Sequence, residues 1–213
     1  MPINSLAPRQ ALPIRNATVM QPRALFSLIP GFLDAVTCRR LRDAMDRGAA
    51  IPAEVLGSEI VLDDSVRRVS DVEVDRSTLA VVELKLESAR AVIQAYHGLP
   101  IIEREGPSFL RYGPGGFYRR HCDQAAEAAW PDAARRQVSL VIFLNSSRSV
   151  PESDEFSGGE LVMFPEDLTD VPAGEPIEIV PLEGSLIAFR AATAHEVRPV
   201  FVGVRDVIVD WFY

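Results

Sequence analysis

Histidine and cysteine are scarce in this chain: three and two among 213 residues. Cys38 and Cys122 are too few for a disulfide framework and suit a reducing compartment. No run of about 18 apolar residues occurs, so no membrane-spanning helix is expected. Positive charge is also short, 22 Lys and Arg against 30 Asp and Glu, a net charge of -8. Without a basic stripe to hold phosphates, no nucleic-acid partner is expected. The first thirty residues contain no acid, yet they lack the charged start and apolar core of a secretion signal. Pro2, Pro8, Pro13 and Pro22 fit a transit helix badly, because each removes a donor and clashes in a helix interior. The expectation is an extended arm over 1–24, a single domain over 25–213, and a cytoplasmic protein.

A hydrophobic content of 47% with 24% charge is enough apolar material for an ordinary globular core. Phe26 to Gly31 reads as a short strand and turn. Asp34 is a good N-cap for a helix that runs to about Arg47 and stops at Gly48, with Cys38, Leu41 and Met45 on its apolar face. Ile51 to Val74 is irregular, with strand-like pieces at 59–62 and 69–74 around a charged surface loop, 63–68. A second helix spans about Ser77 to His97. Leu79, Val82, Leu86, Ala89, Ile93 and Tyr96 form its stripe, and Gly98-Leu99-Pro100 ends it. His97, in its last turn, suits the carboxyl end of the helix dipole and is read as structural.

From Pro107 the texture changes to short strands separated by glycine and proline. Eight are expected: 108–112, 117–121, 136–145, 159–164, 177–181, 185–190, 195–201 and 204–213. Val138–Leu144 is nearly continuous in apolar residues, as a strand buried on both faces would be. Helices first (32–98) and strands after (107–213) give an α+β sandwich or jelly roll with the N-terminal helices packed on one sheet. The polar stretch Ser146–Ser157 reads as an inserted loop, a candidate lid.

With His97 set aside, His121 and His195 remain, both in the strand-rich half. In an extended strand residues two apart share a face, so His121 and Asp123 point the same way and Cys122 points away. Two imidazoles and a carboxylate with other positions left open suit non-haem iron, where a closed four-ligand site would not. A polar strand end after a hairpin turn, and a surface histidine at 195, stay open as alternatives. In the last strand Arg205 shares a face with Val207, Val209 and Trp211. An inward guanidinium without an anion is costly. A dicarboxylate ligand could supply one, and so could a carboxylate from elsewhere in the fold.

Tyr112, His121-x-Asp123, His195, Arg205 ten residues later and Trp211, in that order, resemble the prolyl 4-hydroxylase-like branch of the Fe(II)/2-oxoglutarate-dependent dioxygenases. So do Phe109-Leu110-Arg111-Tyr112-Gly113-Pro114-Gly115-Gly116-Phe117-Tyr118 and Ser157-Gly158-Gly159-Glu160-Leu161. The resemblance covers Phe109 to the last residue closely and the helical half only in layout. It implies a double-stranded β-helix. It also implies His121, Asp123 and His195 as Fe(II) ligands, and Tyr112, Arg205 and Trp211 at the 2-oxoglutarate. Ascorbate is an accessory that the resemblance admits. The implied activity is hydroxylation of an unactivated C–H bond, of a prolyl or other amino-acid residue, with O2 consumed and succinate and CO2 released.

Many members carry lysine at the position of Arg205, and some carry threonine at the position of Leu161, which puts one cosubstrate contact in doubt. Asp123 favours hydroxylation over halogenation, since related halogenases lack the carboxylate. Arg67, Arg68 and the loop 146–157 are candidates for the entrance of an unidentified peptide or small-molecule substrate. A cupin-like metalloprotein that does not use 2-oxoglutarate, and a non-catalytic binding module, are the competing readings. Neither gives Arg205 a task.

Overall fold

The structure is a computed structural model that describes residues 25–53, 55–56, 60–61, 63–125, 131–165 and 174–213. The expected arm, 1–24, lies outside the described residues. The chain opens with β1 (Phe26–Ile29), α1 (Ala35–Arg47) and β2 (Ala50–Pro52). A two-residue pair, β3 (Val55–Leu56) and β4 (Ile60–Val61), precedes β5 (Arg67–Arg68), β6 (Ser70–Val72) and α2 (Arg76–His97). Then come β7 (Ser108–Tyr112), β8 (Phe117–His121), a short α3 (Pro131–Arg135) and β9 (Val138–Phe143). The remainder is β10 (Ser157–Gly158), β11 (Leu161–Phe164), β12 (Ile177–Ile179), β13 (Leu186–Arg190), β14 (Ala194–Val197), β15 (Val200–Val202) and β16 (Arg205–Phe212).

Two antiparallel sheets carry the architecture. The larger has the order β1-β13-β9-β16-β7-β6-β2 and the smaller β12-β11-β14-β8-β5. The two long helices, α1 and α2, lie on the larger sheet. The Asp34 carboxylate accepts from the Thr37 amide at the start of α1, and that of Asp75 from the Thr78 amide at the start of α2. Each satisfies a backbone donor that a helix start leaves without an intrahelical partner. Gly98 ends α2 in the left-handed conformation, φ 63°, where a side chain would be strained. Cys38, Leu41 and Met45 of α1 join Val82, Leu86, Ala89 and Ile93 of α2 against Leu140, Ile142, Ile208 and Phe212 of the sheet. A second core lies between the sheets, with Val141, Phe143 and Val207 from one and Leu161, Met163 and Val197 from the other. β9 faces both cores and is buried along its length.

Several local expectations change. Tyr96 is exposed, and its hydroxyl donates to the Phe26 carbonyl, 2.9 Å. His97 takes the inward place instead, with Nε2 3.4 Å from Ser27 Oγ. Burial pushes its imidazole down to about 4, so it is neutral rather than a cation at the helix end. Arg67 and Arg68 are not part of a surface loop; they form β5 and pair with β8. The expected strand 195–201 divides at Arg198-Pro199: β14 pairs with β8 and β11, β15 with β10. Proline has no amide to continue a ladder. The loop 146–157, the candidate lid, is anchored at its two ends. Phe156 is buried, Ser147 bridges it, and Asn145 Nδ2 donates to the carbonyls of Asp154 and Val204.

Candidate metal centre and its cavity

Register brings the two histidines together. His195 of β14 lies opposite His121 of β8, and their ring centroids are 4.2 Å apart. Asp123 follows β8 and turns back to both. Its Oδ1 is 3.5 Å from His121 Nε2 and its Oδ2 3.7 Å from His195 Nε2. One ligand atom from each of the three residues falls within 4.8 Å of the others, as one metal ion requires. Among the described residues this is the one such group.

The backbone sets the tautomers. His121 Nδ1 lies 2.8 Å from the Arg119 carbonyl and His195 Nδ1 2.9 Å from that of Thr193. A carbonyl only accepts, so each Nδ1 carries the hydrogen and each Nε2 lone pair faces the carboxylate. Burial, with His121 alongside, pushes the His195 imidazole down to about 4 and keeps it neutral. Burial opposes the Asp123 charge, while the Ser139 hydroxyl, donating to Oδ2, favours the ionised carboxylate. A neutral imidazole pair with an ionised carboxylate is a donor set for a divalent first-row metal.

These residues open into a cavity of about 400 Å³. Tyr112, Arg205 and Trp211 line it as well, so all six residues singled out in the sequence share one space. Arg205 lies opposite Tyr112 in the β16–β7 pairing, its guanidinium carbon 4.8 Å from the Tyr112 ring centroid. It is 1% exposed. Burial pulls its guanidinium below the ordinary arginine value. Among the described residues neither its Nε nor its Nη1 has a hydrogen-bond partner. An arginine stays charged, and a buried donor without an acceptor costs about 1–3 kcal/mol, more for a charged group. The cavity wall therefore holds a buried cation with two donor atoms that the described residues leave unsatisfied. Leu161 also lines it; the loop 146–157 does not, and of the Arg67–Arg68 pair only Arg67 does. Cys122 faces away, its Sγ 3.4 Å from the Ala192 carbonyl.

Three residues of the site lie beyond the six singled out in the sequence. Tyr118 stacks on His121, ring centroids 3.5 Å apart. Arg136 grips Glu105 through Nε and Nη2, lies 3.7 Å from the Trp211 ring centroid, and directs Nη1 to the Asp123 carbonyl at 3.4 Å. Ser139, 1% exposed, donates from its hydroxyl to Asp123 Oδ2 at 2.6 Å. The signal for Ser139 was present: it is the one polar residue within the apolar run 138–144.

Two facing antiparallel sheets enclose one cavity, lined by a pair of histidines and a carboxylate that could hold one metal ion and by a buried arginine. Residues 107–213 match the family model described as the 2OG-Fe(II) oxygenase superfamily, and the chain belongs to that family. A "PKHD-type hydroxylase" from Stenotrophomonas maltophilia is 32% identical over 109 residues, 49% of this chain and 41% of that protein. One from Thermosynechococcus vestitus is 34% identical over 131 residues, 61% and 51%. The chain thus spans about half or less of the curated relatives it matches. A crystal structure of a Pseudomonas putida prolyl-4-hydroxylase is similar at a TM-score of 0.63 and 26% identity, covering 88% of this chain and 91% of that one. A Trichoplax adhaerens prolyl hydroxylase in complex with a hypoxia inducible factor peptide fragment has a TM-score of 0.70 at 19% identity, covering 89% and 83%, a likeness of fold.

Proposed function

We propose that this chain is a hydroxylase that uses Fe(II), 2-oxoglutarate and O2 to hydroxylate an unactivated C–H bond of a prolyl or other amino-acid residue. The observation that carries the reading is Arg205, buried with two unpartnered donors in the cavity that holds His121, Asp123 and His195. A cupin-like metalloprotein or a vestigial binding module has no use for it. We also propose that the two sheets form a double-stranded β-helix and that residues 25–213 are one domain. The double core around β9 and the likeness to prolyl hydroxylase structures support both. The cytoplasm is the proposed compartment, in keeping with two cysteines and no disulfide between them.

In the mechanism, His121 and His195 offer Nε2 and Asp123 a carboxylate oxygen to Fe(II). Bound there, the metal would use 2-oxoglutarate and O2 to supply the oxidising chemistry, with succinate and CO2 as coproducts. Everything else belongs to the chain. Arg205 pairs its planar fork with the far carboxylate of 2-oxoglutarate. Tyr112, packed along Arg205, borders the same ligand. Trp211 and Tyr118, both in the cavity wall, bound the space beside the metal ligands and keep water from it. Burial raises the Tyr118 phenol to about 12, so it stays protonated and can donate to a carbonyl of the substrate. The peptide in the Trichoplax complex supports a peptide as substrate.

Anaerobic addition of Fe(II) and then 2-oxoglutarate tests the reading. It should give a weak visible charge-transfer band, and admission of O2 with a panel of proline-containing peptides should release succinate alongside a one-oxygen mass gain. Absence of both the band and any thermal stabilisation by the two ligands would refute it.

A further inference from the structure

We propose that Ser139 is a positioning residue that decides which oxygen of Asp123 a metal ion receives. The inference rests on the metal-binding reading above and concerns a residue outside the triad.

The argument starts with the strand. β9 is buried on both faces, and its inward positions are Ser139, Val141 and Phe143. Val141 and Phe143 belong to the core between the sheets; Ser139 alone among the three is polar. A serine replacing an apolar side chain in such a place loses packing and brings a hydroxyl that must find a partner. The partner is Asp123 Oδ2, at 2.6 Å, the ordinary length for a hydroxyl donating to a carboxylate. Asp123 lies in the turn after β8, so its own segment does not fix the rotation of the carboxylate plane. Ser139 projects from a strand held between β13 and β16, a far stiffer mounting. The backbone of the same residue is held separately: Arg136 Nη1 points to the Asp123 carbonyl and the next amide, Gln124, donates to the Ala191 carbonyl.

A carboxylate tied by its Oδ2 to a buried hydroxyl presents Oδ1, the oxygen 3.5 Å from His121 Nε2, as its less engaged donor. It would then fill one coordination position rather than two. A chelating cosubstrate and a third reactant need the positions that a bidentate carboxylate would take. Partners that orient a ligating carboxylate typically change metal affinity by about 10- to 100-fold when removed.

The test compares Ser139→Thr with Ser139→Val. The two side chains have the same shape and differ by the hydroxyl, so any packing penalty is shared; Ser139→Ala is measured beside them. Co(II) and Mn(II) are titrated by calorimetry, and the Co(II) visible spectrum reports coordination number. Melting of the metal-free proteins separates folding from metal binding. The expected result is near-native affinity and spectrum in Ser139→Thr, with affinity about 10- to 100-fold weaker in Ser139→Val and Ser139→Ala. The Co(II) bands of those two variants should be altered, and the Thr and Val proteins should melt alike without metal. If Ser139→Ala does not fold, the Thr and Val pair decides. Equal affinity and identical spectra for Thr and Val would overturn the proposal. A native protein that binds neither metal would overturn the metal-centre reading itself, a separate and recognisable failure.

Discussion

In the proposed function, Arg205 concentrates cosubstrate binding in one side chain. Its Nε and Nη1 await an acceptor, and a bidentate pair of charged hydrogen bonds contributes about 3 kcal/mol. Arg205→Ala should therefore raise the 2-oxoglutarate concentration for half-saturation about 100-fold, with Co(II) affinity unchanged; equal loss of both would contradict the assignment. His97 provides a second, unrelated prediction. Its pKa falls from an ordinary 6.5 to about 4 on burial, so the unfolded chain binds the proton first. The stability associated with neutral His97 is complete above pH 6.5 and is lost as pH falls toward 4, a change on the order of 3 kcal/mol. Chemical denaturation of the native protein and of His97→Gln between pH 7 and 4 should show a steeper decline for the native protein. Parallel declines would mean that His97 is not buried neutral.

At the scale of elements, β16 joins the two halves of the chain. On its outer face Asp206, 1% exposed, accepts from Arg111 of β7 through Nε and Nη2 and from Arg42 of α1. Removing the charge leaves two arginines facing one another without their shared anion. Asp206→Asn should cost about 3 kcal/mol in urea unfolding, the lower end for a broken buried pair, because both arginines keep some contact with water. A loss under about 1 kcal/mol would place the network among surface pairs. The same strand shows what the sequence could reveal. Alternation along 205–212 put Arg205 inward correctly, since β16 is regular over eight residues. Alternation also separates Tyr118 from His121, three residues apart, yet both face inward. His195 pairs with His121 and Val197 with Tyr118, so three residues of β8 span two of β14. That bulge reverses the facing of one residue, and no residue type in Tyr118-Arg119-Arg120-His121 announces it. α3, five residues long, has too few positions to display a helical period, and Pro199 was a signal left unused.

For the whole molecule, metal and stability are linked. An ion that binds only the folded chain stabilises it by about 2.7 kcal/mol at 100 times its dissociation constant. Each kcal/mol corresponds to roughly 2–4 °C at this size. Co(II) at that excess should raise the melting temperature by about 5–10 °C, a chelator should reverse the shift, and Asp123→Ala should abolish it. No shift in the native protein would mean that the triad does not hold metal. β9 adds a consequence of another kind. It is the shared wall of the helix-side core and the inter-sheet core, so its backbone cannot meet water unless both come apart together. In deuterated solvent its amides should be the last to exchange, at the rate of global unfolding.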